Sequence, residues 1–107
     1  MESNAKIQEL QFLEQNIQNL IFQKQAFQLE LSETDSALNE INNAGEEVFK
    51  IIGQLMIKTK KSKVKEELEN KKKILEMRIK TIEKQESSFA KKIEEIQEQI
   101  VKLQEKK

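Results

Sequence analysis

The sequence contains no cysteine, proline, histidine, tryptophan or tyrosine, and only two glycines in 107 residues. Each absence removes a class of explanation. Without cysteine or histidine there is no disulfide, no thiolate or imidazole metal site, no cysteine nucleophile and no histidine general base. Without proline, and with glycine so rare, long helices can run uninterrupted. The net charge is zero, which removes any global attraction to nucleic acid or an anionic membrane. No stretch approaches the roughly 18–20 apolar residues of a membrane span. The opening Met1-Glu2-Ser3-Asn4 lacks the basic and apolar regions of a signal peptide. The expectation is a soluble, cytoplasmic protein, and the lack of cysteine suits a reducing compartment.

Apolar and charged residues each make up 36% of the chain. Ordinary domains are nearer half apolar and a quarter charged, so a thick core is not expected, and the length allows one domain at most. Three segments separate by pattern. In residues 4–43 apolar residues recur at alternating steps of three and four. With Leu10 at heptad position a, the a residues are Leu10, Ile17, Lys24, Leu31 and Leu38. The d residues are Leu13, Leu20, Phe27, Thr34 and Ile41. This pattern predicts a coiled-coil helix. Residues 62–107 repeat the signal: Leu68, Leu75, Ile82, Phe89, Ile96 and Leu103 are spaced by seven and occupy d. Lys65, Lys72, Ile79, Glu86, Ile93 and Ile100 then occupy a. Ser62 is the expected N-cap, with Glu66 and Glu67 in the opening turns.

Residues 44–61 break the heptads. They hold both glycines and two strand-like runs, Val48-Phe49-Lys50-Ile51-Ile52 and Leu55-Met56-Ile57-Lys58-Thr59, around Gly53-Gln54. This predicts a β-hairpin with Gly53 at positive φ in a type II′ turn. Asn42-Asn43-Ala44-Gly45 marks the end of the first helix. The predicted fold is therefore mostly α: a long antiparallel two-helix coiled coil with one central β-hairpin, in a single domain. Residues 1–53 carry a net charge of −6 and residues 54–107 of +6, which favours pairing the two helices with each other. A register in which facing residue numbers sum to 106 sets Leu31 against Leu75 and Leu13 against Ile93. It also puts Lys24 and Glu86 in adjacent layers, where they can pair diagonally. A sum of 113 is the alternative, and it scatters the polar seam residues against apolar ones.

An isolated two-stranded hairpin is marginal in water. Its free edges and the side chains of Val48, Phe49, Ile51, Leu55 and Ile57 need partners. They can pack on the chain's own helices, or hairpins from several chains can join edge to edge into a closed sheet. The second is expected, because the chain has too little core to cover this surface. Nothing supports catalysis. Glu66-Glu67 and Glu94-Glu95 are adjacent acids on helix faces, with no pocket to perturb them. Lys71-Lys72-Lys73 lacks interleaved aromatic residues, so no nucleic-acid partner is expected.

The stretch Val48-Phe49-Lys50, Ile52-Gly53-Gln54-Leu55-Met56-Ile57-Lys58, with Val64 and Leu68 after it and Gln23-Lys24-Gln25, Leu31, Ala37-Leu38 and Ile41 before it, resembles the β-type subunit of prefoldin. The likeness covers nearly the whole chain, and the hairpin motif is more specific than the heptads. Phe49 stands where the family more often has tyrosine. An α-type subunit carries two hairpins, and 18 residues hold one. The short chain without a terminal extension looks more archaeal than eukaryotic.

The resemblance implies a co-chaperone. Two α-type and four β-type subunits would join their hairpins, here Val48, Phe49, Ile51, Ile52, Gly53, Leu55, Met56 and Ile57, into a β-barrel platform. Coiled-coil tips would hold unfolded polypeptide and pass it to a group II chaperonin without ATP. No cofactor, metal or membrane partner is implied. The candidate client-contact residues at the tips are Ile7, Leu10, Phe12, Leu13, Ile96, Ile100, Val101 and Leu103. Leu10, Leu13 and Ile96 can equally be coiled-coil core. Phe12 and Val101 lie off the seam, where they are either client contacts or scattered surface apolar residues. Phe22 and Leu29 form an outer stripe at position f. Lys102, Lys106 and Lys107 could meet an acidic chaperonin surface or simply suit the helix dipole. A competing reading is a homodimeric coiled-coil tether, in which helices pair between chains.

Overall fold

The computed structural model describes residues 2–105. The chain runs α1 (Glu2–Asn42), β1 (Glu47–Ile52), β2 (Leu55–Lys60) and α2 (Lys61–Glu105). Two long helices flank one antiparallel hairpin, as the heptads and the Gly53-Gln54 turn predict. No helix among the described residues is long and apolar enough to cross a membrane. The chain divides into two compact units, residues 1–25 with 80–107 and residues 26–79, which are taken in turn.

In the unit that carries both chain ends, Leu13, Ile82 and Ile96 are buried. The other seam residues, among them Leu10, Ile17, Leu20, Phe89, Ile93 and Ile100, are half-buried. Two polar seam residues meet each other: Lys24 Nζ lies 2.9 Å from Glu86 Oε1, with both side chains largely screened from solvent. Pairing them avoids stranding either charge against apolar neighbours. Lys6 Nζ donates to Gln99 Oε1 at 2.6 Å.

In the unit that carries the hairpin, Leu75 is the most deeply buried side chain, at 2% exposure, with Ile41 and Thr34 close behind. Asp35 Oδ1 accepts from Lys72 Nζ at 2.9 Å. The Arg78 guanidinium lies over the Phe27 ring, 5.6 Å from its centroid. In both units the cross-helix partners have numbers close to a sum of 106, and the Lys24–Glu86 pair is the expected diagonal. The register summing to 113 is not the one formed.

The hairpin ladder pairs Glu47 with Lys60 through to Ile52 with Leu55. It extends one residue beyond the predicted run at its open end, where Glu47 and Lys60 pair. Gly53 has φ +60°, and among the described residues no other residue has a positive φ. Positive φ at the first central turn position alone is the signature of type II′, whose twist matches that of the flanking strands.

The expected Ser62 cap is not formed. β2 runs to Lys60 and α2 starts at Lys61, so Ser62 lies inside the first turn, which contains no acidic residue. The Lys61 backbone N–H donates to Glu46 O at 2.9 Å. That bond carries the chain directly from ladder to helix and leaves no room for a capping residue between them.

Candidate assembly surface

Alternation along the strands sorts the hairpin into two faces. One holds Glu47, Phe49 and Ile51 with their partners Lys60, Lys58 and Met56. The other holds Val48, Lys50 and Ile52 with Thr59, Ile57 and Leu55. The second face is anchored at its root. Lys50 Nζ donates to Glu67 Oε2 of α2 at 2.8 Å, and the Val48–Thr59 pair beside it is half-buried. The hydrogen bond from Lys50 holds the Glu67 carboxyl below the usual carboxylate range. Partial desolvation opposes this, and the charges of Lys50 and Lys63 reinforce it.

Beyond that root the hairpin buries almost nothing within its own chain. Phe49 is 62% exposed and Ile51 70%, and Ile52, Leu55, Met56 and Ile57 are also exposed. Gly53 sits at the tip with no atom near the position a Cβ would take, so φ rather than space demands glycine there. Among the described residues, six large apolar side chains stay exposed on a two-stranded sheet with no further strand on either edge, which makes the hairpin the candidate surface for partners. The eight predicted assembly residues are thus brought together on one hairpin, with only Val48 partly covered.

The predicted tip residues divide differently. Leu13 and Ile96 are buried, and Leu10, Ile100 and Leu103 are half-buried in the seam. Phe12 and Val101 are 65% and 51% exposed, and Ile7 is exposed. Phe22 and Leu29 are likewise exposed. Lys102 is an exposed residue in the last turn of α2. Lys106 and Lys107 lie outside the described residues. Sequence reasoning missed the contacts made by Lys50 and Lys61, because each partner lies 17 to 19 residues away and no periodicity announces it.

The family model for the prefoldin subunit matches residues 4–107, covering both helices and the hairpin. The chain belongs to the prefoldin subunit family. Its prefoldin relatives include the β subunit of Sulfurisphaera tokodaii, 37% identical over 82 residues. The β subunit of Thermococcus onnurineus is 42% identical over 77 residues. These matches take in 75% and 70% of this chain and 66% of each relative, just under two thirds of their length. The crystal structure of the prefoldin β subunit from Thermococcus strain KS-1 superposes with a TM-score of 0.87 at 37% identity. It covers 92% of this chain and 89% of that one. The likeness is to β-type prefoldin subunits, in keeping with the single hairpin. Prefoldin subunits are chaperone components rather than known enzymes.

Proposed function

We propose that this chain acts as a single prefoldin-like domain and a co-chaperone subunit of the cytoplasm. Its hairpin joins those of α-type companions in a hexamer of two α-type and four β-type subunits. The ends of its coiled coil hold unfolded polypeptide, which is handed to a group II chaperonin without ATP. The observation that carries this reading is the hairpin: six large apolar side chains stay exposed on a sheet with unpaired edges. Joining such hairpins removes the edges and buries the side chains together. Helix pairing within one chain, through Lys6–Gln99, Lys24–Glu86 and Asp35–Lys72, favours this over a tether whose helices pair between chains.

For client contact the geometry favours Phe12, Val101 and Ile7, which offer apolar surface without opening the seam. Leu10, Ile100 and Leu103 become available where the helix ends fray, and Leu13 and Ile96 only if the pair parts. Replacing Phe12 and Val101 together by serine is expected to weaken suppression of aggregation of a denatured test protein several-fold, with oligomer mass and helicity unchanged. Undiminished suppression would move the client site elsewhere.

A further inference from the structure

α1 has no basic residue in its last turn, and α2 has no acidic residue in its first. For isolated helices both omissions are unfavourable, because terminal carbonyls carry partial negative charge and terminal N–H groups partial positive charge. Here the two ends lie together at the root of the hairpin, and one residue links them. Lys61 Nζ donates to Asn42 O and to Ala44 O, each at 3.1 Å, while its backbone N–H holds Glu46 O. Asn43 and Ala44 turn their own N–H groups back to Glu40 O and Ile41 O at 3.2 Å. The carbonyls of Asn42 and Ala44 therefore lie past the end of the α1 ladder, among the acceptors a helix terminus leaves over. Lys61 is half-buried, whereas Lys60 and Lys63 on either side are exposed.

We propose that Lys61 is a positioning residue. Its ammonium, capping α1 from the start of α2, fixes the attitude of the hairpin to the helices and so pre-organises the assembly surface. The proposal rests on the hairpin-assembly reading above. The connection from α1 to β1 spans residues 43–46 and includes Gly45, which has no neighbour near its Cβ position. Such a segment is free to swing unless something ties it. Charge-assisted hydrogen bonds to two carbonyls at its start, plus the backbone bond at its end, hold it at both ends. An untied hairpin would have to be ordered at the moment of assembly, and that entropy would be subtracted from affinity.

The test compares Lys61→Met, Lys61→Arg, Lys63→Met and Gly53→Val. The readouts are affinity for an α-type companion subunit and hydrogen exchange at the amides of residues 44–48. Lys61→Met is expected to weaken assembly about tenfold and to speed that exchange. Lys61→Arg, which keeps a charged donor, should recover most of both. Lys63→Met removes an exposed charge two residues on, the weakest of the influences on Glu67, and should change neither. If Lys61→Met behaves like Lys63→Met, or speeds exchange without weakening assembly, the positioning role is overturned. Gly53→Val is the separate control on the reading beneath. If it leaves assembly intact, the hairpin is not the assembly surface, and the exchange data still decide whether Lys61 holds the root.

Discussion

Thr34 is a polar residue seated in an apolar seam, only 3% exposed. Its hydroxyl donates to Glu30 O one turn back at 2.7 Å, so the helix satisfies it internally. Thr34→Val removes the hydroxyl without stranding a partner, because Glu30 O can keep its helix hydrogen bond. Its effect is expected to stay within about 1 kcal/mol. Leu75→Ala, by contrast, empties the most buried position in the unit and should cost about 2–4 kcal/mol. Urea unfolding of the two variants checks the contrast, and equal losses would show that the seam is not packed as described. Glu67 supplies a pH dependence. Its folded pKa is lowered by Lys50, so its contribution is present above the ordinary glutamate pKa and is lost as pH falls through the folded value. Lys72 is the converse case: the hydrogen bond to Asp35 raises it, so its contribution is lost only at strongly alkaline pH. Glu67→Gln should therefore flatten the acid limb of the melting temperature and leave the alkaline limb alone. The effect should be small, because the pair is exposed. An unchanged acid limb would mean the Lys50 contact does not persist in solution.

At the scale of elements, the helices were legible because period seven states both partner face and register. Lys24 and Glu86 look like defects in either helix read alone, yet their numbers predict the contact they make. The type II′ turn was legible because only Gly53 there tolerates positive φ. The start of α2 was not. A serine ahead of a periodic run reads as a cap, but the ladder bond from Lys61 to Glu46 O overrides that local preference. The contacts of Lys50 and Lys61 were hidden for the related reason that each depends on where the hairpin folds back. The register makes its own prediction. With Leu31→Cys and Leu75→Cys together, oxidation should give an intramolecular disulfide in dilute monomer. Leu38→Cys with Leu75→Cys, one heptad out of register, should not. Links that form only between chains would instead indicate the tether.

At the scale of the whole molecule, composition already pointed to assembly. A chain with as many charged as apolar residues, and with six large apolar side chains exposed on the hairpin, leaves costly surface uncovered within its own fold. The sequence located that cluster but not its degree of exposure, because strand alternation cannot say whether a hairpin packs on its own helices. In the structure Val48 and Thr59 are half-buried and Lys50 is tied to Glu67 of α2, while the apolar side chains beyond them stay exposed. Which of the tip candidates are accessible was likewise beyond the heptads for Ile7, Leu10 and Leu103, since exposure at a helix end depends on how closely the pair stays together there. The most direct test of the central claim is native mass spectrometry of the tagged chain recovered from its own cells. The account predicts four copies of this 12.6 kDa chain with two copies of a larger companion. A homodimer with no second protein would contradict it.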